Sequence, residues 1–136
     1  GYDFDALYED GKAPYKHKMI MDHFIEDKAE SEIFSNLLKK QAGFGKNGEK
    51  GFDGAITTLM MQLYLCNCDF RKRVNKKGEV YGWDVAVYSS PEHIYGCDYV
   101  TSCYKEDPQE SWKRIVDYMH EIYPIATDKQ IKKILK

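Results

Sequence analysis

The sequence contains no long apolar run and no recognised catalytic signature. No stretch approaches the ~20 apolar residues that a membrane-spanning helix needs, and no secretory signal opens the chain. The glycine-rich residues 43–51 lack the Lys-Ser/Thr ending and the preceding strand of a phosphate-binding loop. We therefore expect a cytoplasmic protein with no membrane partner. Because the chain begins with Gly1 rather than Met, we expect a domain of a longer protein, whose missing N-terminal part is a candidate partner.

Cysteine is scarce, and its spacing is not that of a zinc site. Persuasive zinc patterns repeat a Cys-x2-4-Cys pair or combine one with paired histidines. The histidines of this chain are scattered, so they add no such pair. We expect no metal and no cofactor, and we interpret the four cysteines as reduced, small apolar side chains of a cytosolic protein. They are Cys66, Cys68, Cys97 and Cys103.

Charge is nearly balanced but unevenly distributed. The formal net charge is -2, with acidic residues concentrated in residues 1–10 and 22–32. Basic residues collect in residues 39–50, 71–77 and 129–136. A nearly neutral protein with one basic face can still bind DNA, and the acidic faces then limit how it docks.

Hydrophobic periodicity predicts three helices in the first half of the chain. Residues 1–15 read as an extended lead-in, and a helix with one apolar stripe begins at Lys16. A second helix is predicted from about Glu30, with Ile33, Phe34, Leu37 and Leu38 on its inner face. A third begins after the glycine-rich segment, with Asp53 as its N-cap.

Strand patterns follow the third helix. Residues 63–70 and 81–88 are rich in strand formers, and residues 75–78 supply a turn between them. We name residues 71–78 the wing, since three helices followed by a hairpin with a basic tip are typical of a winged helix. The fold class predicted is α+β: a winged helix-turn-helix over residues 16–90, with a C-terminal helical extension. Residues 91–136 are predicted as a connector and helices that pack on this domain.

The C-terminal extension shows two helix starts. Asp107 and Thr127 are predicted caps, and the helix after Asp107 has a helically spaced apolar stripe. We expect that stripe to be buried. Its residues are Trp112, Ile115, Val116, Met119, Ile122 and Tyr123.

The predicted partner is double-stranded DNA, contacted mainly through its backbone. The exposed face of the third helix would enter the groove with Thr57, Thr58, Met61 and Gln62. Phosphates would meet the lysines and arginines of the glycine-rich loop and the wing, which are Lys46, Lys50, Arg71, Lys72, Arg73, Lys76 and Lys77. Strong base specificity is not expected from that helix, because it has no Arg or Asn.

Two alternatives stay open at this point. Winged helices also serve as protein-interaction modules, in which case Tyr95, Tyr99 and Tyr104 would form part of the partner surface. Base-excision chemistry is the other alternative, and the acids near the predicted DNA face are Asp53, Asp69 and Asp84. The simpler interpretation is that Asp53 caps a helix and that Asp84 is a polar residue on a strand.

Three stretches together resemble a family of short bacterial proteins described as AlkZ-related. They are "GYDFDALYEDGKAPYKHKMIMD", "MMQLYLCNCDF" and "GEVYGWDVAVYSSPE". The resemblance covers nearly the whole chain and implies a distant relationship to the YcaQ/AlkZ DNA glycosylases. Those enzymes are built from winged helices and excise alkylated or crosslinked purines.

The glycosylase motif that the resemblance implies is not complete here. YcaQ/AlkZ enzymes position water with a Gln-x-Gln or Gln-x-Asp motif, and the nearest match is Met60-Met61-Gln62. A thioether at the first position cannot orient water. Gln62 is the catalytic candidate that this motif leaves, and we expect a DNA-binding domain of repair or regulation rather than an enzyme.

Overall fold

The computed structural model describes residues 3–25 and 31–135. Within these ranges the chain is a mixed α+β protein with a three-stranded antiparallel sheet. It divides into two compact units, Tyr2–Val100 and Thr101–Lys136. Along the described ranges, no helix has both the length and the apolarity needed to cross a membrane.

The N-terminal unit consists of short helices around one small sheet. Its helices are α1 (Phe4–Glu9), α2 (Tyr15–Ile25), α3 (Ser35–Gln41), α4 (Phe52–Met61) and α5 (Pro91–Tyr95), with α6 (Cys97–Thr101) at the boundary between the units. Its strands are β1 (Ile33–Phe34), β2 (Cys66–Val74) and β3 (Val80–Ser89). The strand order is β1-β3-β2.

The predicted extended lead-in is wrong, because α1 is a helix that joins the core. Phe4 is buried, and its ring meets Tyr64 edge-on with the centroids 5.4 Å apart. Tyr8 packs against the same core, whereas Asp5 and Glu9 of this helix are exposed. The apolar stripe predicted for the next helix is confirmed, since α2 buries His17, Ile20, Met21 and Phe24.

The predicted second helix starts too early. Ile33 and Phe34 form β1, which pairs antiparallel with Tyr88 and Val87, and the helix begins only at Ser35. The Ser89 hydroxyl also donates a hydrogen bond to the carbonyl oxygen of Ser31. Local spacing could not reveal this pairing because the partner strand lies far along the chain. The predicted start at Glu30 lies outside the described residues.

Helix α4 presents one face to the core and the other to solvent. Gly51, in the left-handed conformation at φ 90, precedes its first residue and makes no side-chain cap. Asp53 is therefore not the predicted N-cap; it lies in the first turn, where a negative charge favours the helix dipole. The buried face consists of Phe52, Ala55, Ile56 and Leu59.

The hydrophobic core of the N-terminal unit lies between α1–α4 and the root of the hairpin. Burial of these side chains is the main source of stability for a domain of this size. Met60, Tyr64 and Tyr88 are partly buried and pack against the cluster. The cluster itself comprises Phe4, Ile20, Met21, Phe24, Ile33, Leu38, Ala42, Phe44, Phe52, Ala55, Ile56, Leu59 and Leu65.

The hairpin is longer than predicted. Strand β2 begins at Cys66 rather than at Leu63 and continues to Val74, so residues 71–74 of the wing lie in the ladder. The predicted turn at residues 75–78 is confirmed: Gly78 N–H donates to the carbonyl oxygen of Asn75, and Gly78 adopts φ 81. Two register irregularities interrupt the ladder, one between Asn67 and Asp69 and one between Arg71 and Arg73.

The glycine-rich segment between α3 and α4 is internally hydrogen-bonded. Phe44 and Glu49 form an isolated parallel bridge, and the Glu49 N–H donates to the carbonyl oxygen of Gly43. Phe44 is buried and meets the Phe52 ring edge-on at 5.4 Å. A Cβ atom at Gly48 would overlap the carbonyl oxygen of Gly43, so this close approach requires glycine. The segment is a closed loop anchored in the core.

We predict that Gly48→Ala lowers the free energy of unfolding by about 1–3 kcal/mol, the usual range for forced overpacking. Gly54→Ala is the matched control. No atom lies within 4 Å of a Cβ placed there, so replacing a helical glycine should instead stabilise by about 0.5–1 kcal/mol. Urea unfolding of both variants measures the difference. Equal stability of the two variants would contradict the closed loop.

His17 is a buried histidine on α2. Its Nδ1 has no hydrogen-bond partner among the described residues, and burial lowers the pKa of the imidazole. Because the folded-state pKa is lowered, the unfolded chain binds the proton more readily. The contribution of His17 to stability is therefore complete above about pH 6.5, the pKa of an unperturbed histidine, and is lost as the pH falls.

We predict that His17→Leu removes part of the loss of stability below about pH 6.5, by up to about 1.4 kcal/mol for each pH unit that the titration spans. The measurement is the unfolding free energy between pH 7.5 and 5. His23→Leu is the control, since His23 is half-exposed on the same helix. An unchanged pH profile in His17→Leu would contradict a neutral buried imidazole.

The C-terminal unit contains a 3₁₀ turn (Ser102–Lys105), α7 (Pro108–Ile122) and α8 (Asp128–Ile134). Both predicted caps are confirmed: Asp107 accepts from the Gln109 N–H, and Thr127 forms a capping box with Gln130. The predicted burial of the α7 stripe is wrong. Trp112, Ile115, Ile122 and Tyr123 are exposed, while Val116 and Met119 are half-buried. The stripe has helical spacing, but in the described part of this unit α8 is the one other α-helix, and it is too short to bury the whole stripe.

Candidate nucleic-acid interface

The outer face of α4 carries the four groove-facing candidates at its exposed positions. The side chains of Thr57, Thr58, Met61 and Gln62 are all exposed, as the periodicity predicts. The Thr57 hydroxyl donates to the Asp53 carbonyl oxygen at 2.8 Å, and Thr58 donates to Gly54 at 3.0 Å. Each hydroxyl therefore has its hydrogen bound to the helix and its lone pairs directed elsewhere, which suits it to accept hydrogen bonds.

The C-terminal end of α4 exposes apolar side chains around Gln62. Met61 is 80% exposed and Leu63 is 76% exposed. Leu63 adopts φ 63, the left-handed conformation that commonly follows a helix end but favours glycine or asparagine. A leucine at such a position costs about 1–2 kcal/mol of backbone strain. The sequence gives no local signal for this conformation, and the predicted strand over Leu63 is wrong for that reason.

The tip of the wing is organised by Asn75. Its side-chain oxygen accepts from the N–H groups of Lys77 and Glu79 at 2.9 and 3.0 Å, and its amide donates to the Glu79 carboxylate at 2.8 Å. Lys76 and Lys77 are exposed in the turn, and neither has an ion pair in the described part of the chain. An ordered turn thus presents two free ammonium groups.

Arg71 differs from the tip lysines because carboxylates already neutralise it. Its guanidinium donates to Glu32 at 2.5 Å and to Asp69 at 2.6 Å. These hydrogen bonds, that of Glu32 most of all, raise the pKa of Arg71, and the hydrogen bond from Arg71 lowers the pKa of Asp69. Arg71 connects the root of the hairpin to the segment before β1, and is less available for phosphate than the sequence predicts.

Lys72 and Arg73 occupy the middle of the hairpin. The Lys72 ammonium lies 3.9 Å from the Asp84 carboxylate, with both side chains exposed. The Arg73 guanidinium lies over the Tyr81 ring, 5.0 Å from its centroid, which is a cation–π geometry. Its Nε is buried without a hydrogen-bond acceptor among the described residues, and no carboxylate of those residues forms an ion pair with Arg73 as Glu32 and Asp69 do with Arg71.

The two loop lysines, Lys46 and Lys50, precede the first residue of α4 along the chain. Lys46 and Lys50 are both exposed, and the carbonyl oxygen of Lys50 accepts a hydrogen bond from Lys16 at 2.9 Å. Lys16 also forms an ion pair with Glu49 at 2.9 Å. The backbone of the loop is therefore attached to α2, and a fixed base supports the two lysines.

The cysteines do not form a metal centre in the described ranges, where no group of three or more His, Cys, Asp or Glu side chains could hold an ion. Cys66 and Cys68 are half-buried free thiols, and burial raises the pKa of each. Cys68 donates to the Val87 carbonyl oxygen at 3.3 Å. Protonated thiols of this kind are poor nucleophiles.

The tyrosines of the alternative interaction surface are exposed. Tyr95 and Tyr99 have ring centroids 6.2 Å apart in the N-terminal unit, and Tyr104 belongs to the C-terminal unit. Their role in binding a partner stays a prediction. The same holds for the three carboxylates considered for catalysis, of which Asp69 and Asp84 have the basic neighbours described above.

Comparison with known proteins identifies the family. The model of the AlkZ-related family matches residues 1–136, so the chain belongs to the AlkZ-related family. No curated protein and no solved structure matches this chain.

Proposed function

We propose that the N-terminal unit is a winged helix. The observation that supports this most directly is the order α2-β1-α3-α4-β2-β3 with β1 hydrogen-bonded beside β3. In a winged helix the third helix of that series faces the ligand, and the hairpin flanks it. In this proposal α4 corresponds to the ligand-facing helix, and the wing corresponds to the tip of the flanking hairpin.

We propose further that this winged helix binds duplex DNA mainly through phosphates. The exposed cations that support the proposal lie in the two segments that flank α4 along the chain: Lys46 and Lys50 before it, and Lys76 and Lys77 after it. The α4 face between them carries two threonine hydroxyls and Gln62, together with the exposed Met61. Such a face fits a groove without making bidentate base contacts, so sequence preference should be low.

We predict that Lys76→Ala/Lys77→Ala weakens duplex binding and flattens the slope of log affinity against log salt by about 1.8, since each phosphate contact contributes about 0.9. Fluorescence anisotropy with a labelled duplex at several salt concentrations gives the slope. The change in stability should stay within about 0.5 kcal/mol per residue, because both side chains are exposed.

The matched control is Lys132→Ala/Lys133→Ala, which removes the same charge from two adjacent exposed lysines on α8. It should leave the slope nearly unchanged. Equal slopes for the two double variants would show that net charge alone governs binding, and would remove the wing from the interface.

Binding without base excision is the second part of the proposal. Excision requires a preorganised polar pocket that holds water against the anomeric carbon. Gln62 lies at the exposed end of α4 between Met61 and Leu63, and Met60 packs against the core. These neighbours suit packing better than positioning of water.

We predict no release of an alkylated purine from duplex DNA under single-turnover conditions with protein in excess. Gln62→Ala should reduce affinity by at most about 1–3 kcal/mol, the value of one good base contact. Base release measured by chromatography that Gln62→Ala abolishes, with affinity retained, would instead establish the glycosylase.

A further inference from the structure

Trp83 lies at a break in the hairpin ladder. Arg71 pairs with Val85 and Arg73 pairs with Tyr81, so the single residue Lys72 lies opposite Gly82, Trp83 and Asp84. Trp83 is the middle residue of this bulge. Bulges commonly redirect a side chain away from the sheet.

The bulge leaves the indole almost wholly in solvent. Trp83 is 88% exposed, although tryptophan has more apolar surface to bury than any other side chain. Gly82 adopts φ 71, and a Cβ there would lie 2.8 Å from the Arg73 guanidinium. Arg73 therefore occupies the space beside Gly82 while lying over Tyr81. The backbone next to Trp83 is fixed by a conformation and a contact that favour glycine.

Two basic residues of β2 lie near Trp83 in the ladder. Lys72 lies directly across the bulge, and Arg73 is the next residue along β2. The only carboxylate that contacts Lys72 in the described ranges is Asp84, at 3.9 Å and in solvent, where such a pair is weak enough for a phosphate to displace. An exposed indole, with Lys72 opposite it in the register and Arg73 following Lys72, offers a ring for one base and cations for phosphates.

Duplex DNA does not offer base faces to a surface tryptophan, because each base is stacked on its neighbours. An unpaired base can leave the stack at low cost and then exposes its ring. We propose that Trp83 stacks on an unpaired base of DNA, with Lys72 and Arg73 contacting the adjacent phosphates. This inference rests on the proposed function, since the wing brings Trp83 to the DNA.

The test compares an intact duplex with the same duplex containing one extra, unpaired thymine. The wild-type protein should bind the thymine-containing duplex more tightly than the intact one. Trp83→Ala should lose about tenfold in affinity for the thymine-containing duplex and bind the intact duplex nearly as before. Trp83→Phe should retain most of the preference because a phenyl ring also stacks. Tyr15→Ala, which removes an exposed aromatic side chain outside the hairpin, should change neither affinity.

A second readout observes the stacking directly. The chain has two tryptophans, so Trp112→Phe leaves Trp83 as the only indole. Its fluorescence should be quenched by the thymine-containing duplex and much less by the intact one. Equal wild-type affinity for the two duplexes, or an equal loss on both in Trp83→Ala, would overturn the stacking while leaving duplex binding in place. Absence of binding to either duplex would overturn the proposed function as well.

Discussion

The pairing of β1 with the end of β3 is the contact on which the N-terminal unit depends. Ile33 and Phe34 align with Tyr88 and Val87, and the buried side chains of Ile33 and Val87 lie at this junction. The pairing joins the segment that precedes α3 to the root of a hairpin that follows α4. Because the root is held in the core, the free half of the hairpin extends from a fixed base. The positions of α4 and the wing in one unit follow from this closure.

The hairpin divides into a neutralised root and a charged tip. At the root, Arg71 is bound to Glu32 and Asp69, which links the sheet to the segment before β1. Beyond the second irregularity, Arg73 lies on Tyr81, and Lys76 and Lys77 project from a turn fixed by Asn75. Basic residues thus serve structure at the root, and the two lysines of the turn are free for a ligand. We therefore assign the proposed phosphate contacts to the tip, where no carboxylate in the described ranges lies as close to a cation as Glu32 and Asp69 do to Arg71.

Periodicity predicted α2, α4 and α7 well but missed α1 and the pairing of β1 with β3. The stripe of α2 and the two faces of α4 follow from helical spacing alone, and so does the exposure of Thr57 and Met61. The two-residue strand β1 could not be predicted in this way, because Ile33 and Phe34 also fit a helical stripe and their partner strand lies far along the chain. The α7 stripe was expected to be buried, but spacing identifies a side that can pack and not what covers it. In the candidate site, the sequence supplied the cations but neither the partners of Arg71 nor the bulge that exposes Trp83.

We propose that α4 and the wing together face DNA. Titration of a ¹⁵N-labelled protein with a short duplex, followed by amide chemical shifts, tests it most directly. We expect saturable shifts concentrated in the exposed half of α4, around Thr57 to Gln62, and in the turn at Asn75 to Glu79, with the acidic helix α1 unaffected. Shifts confined to the region of Tyr95 and Tyr99, or no saturable shifts at low salt, would contradict it.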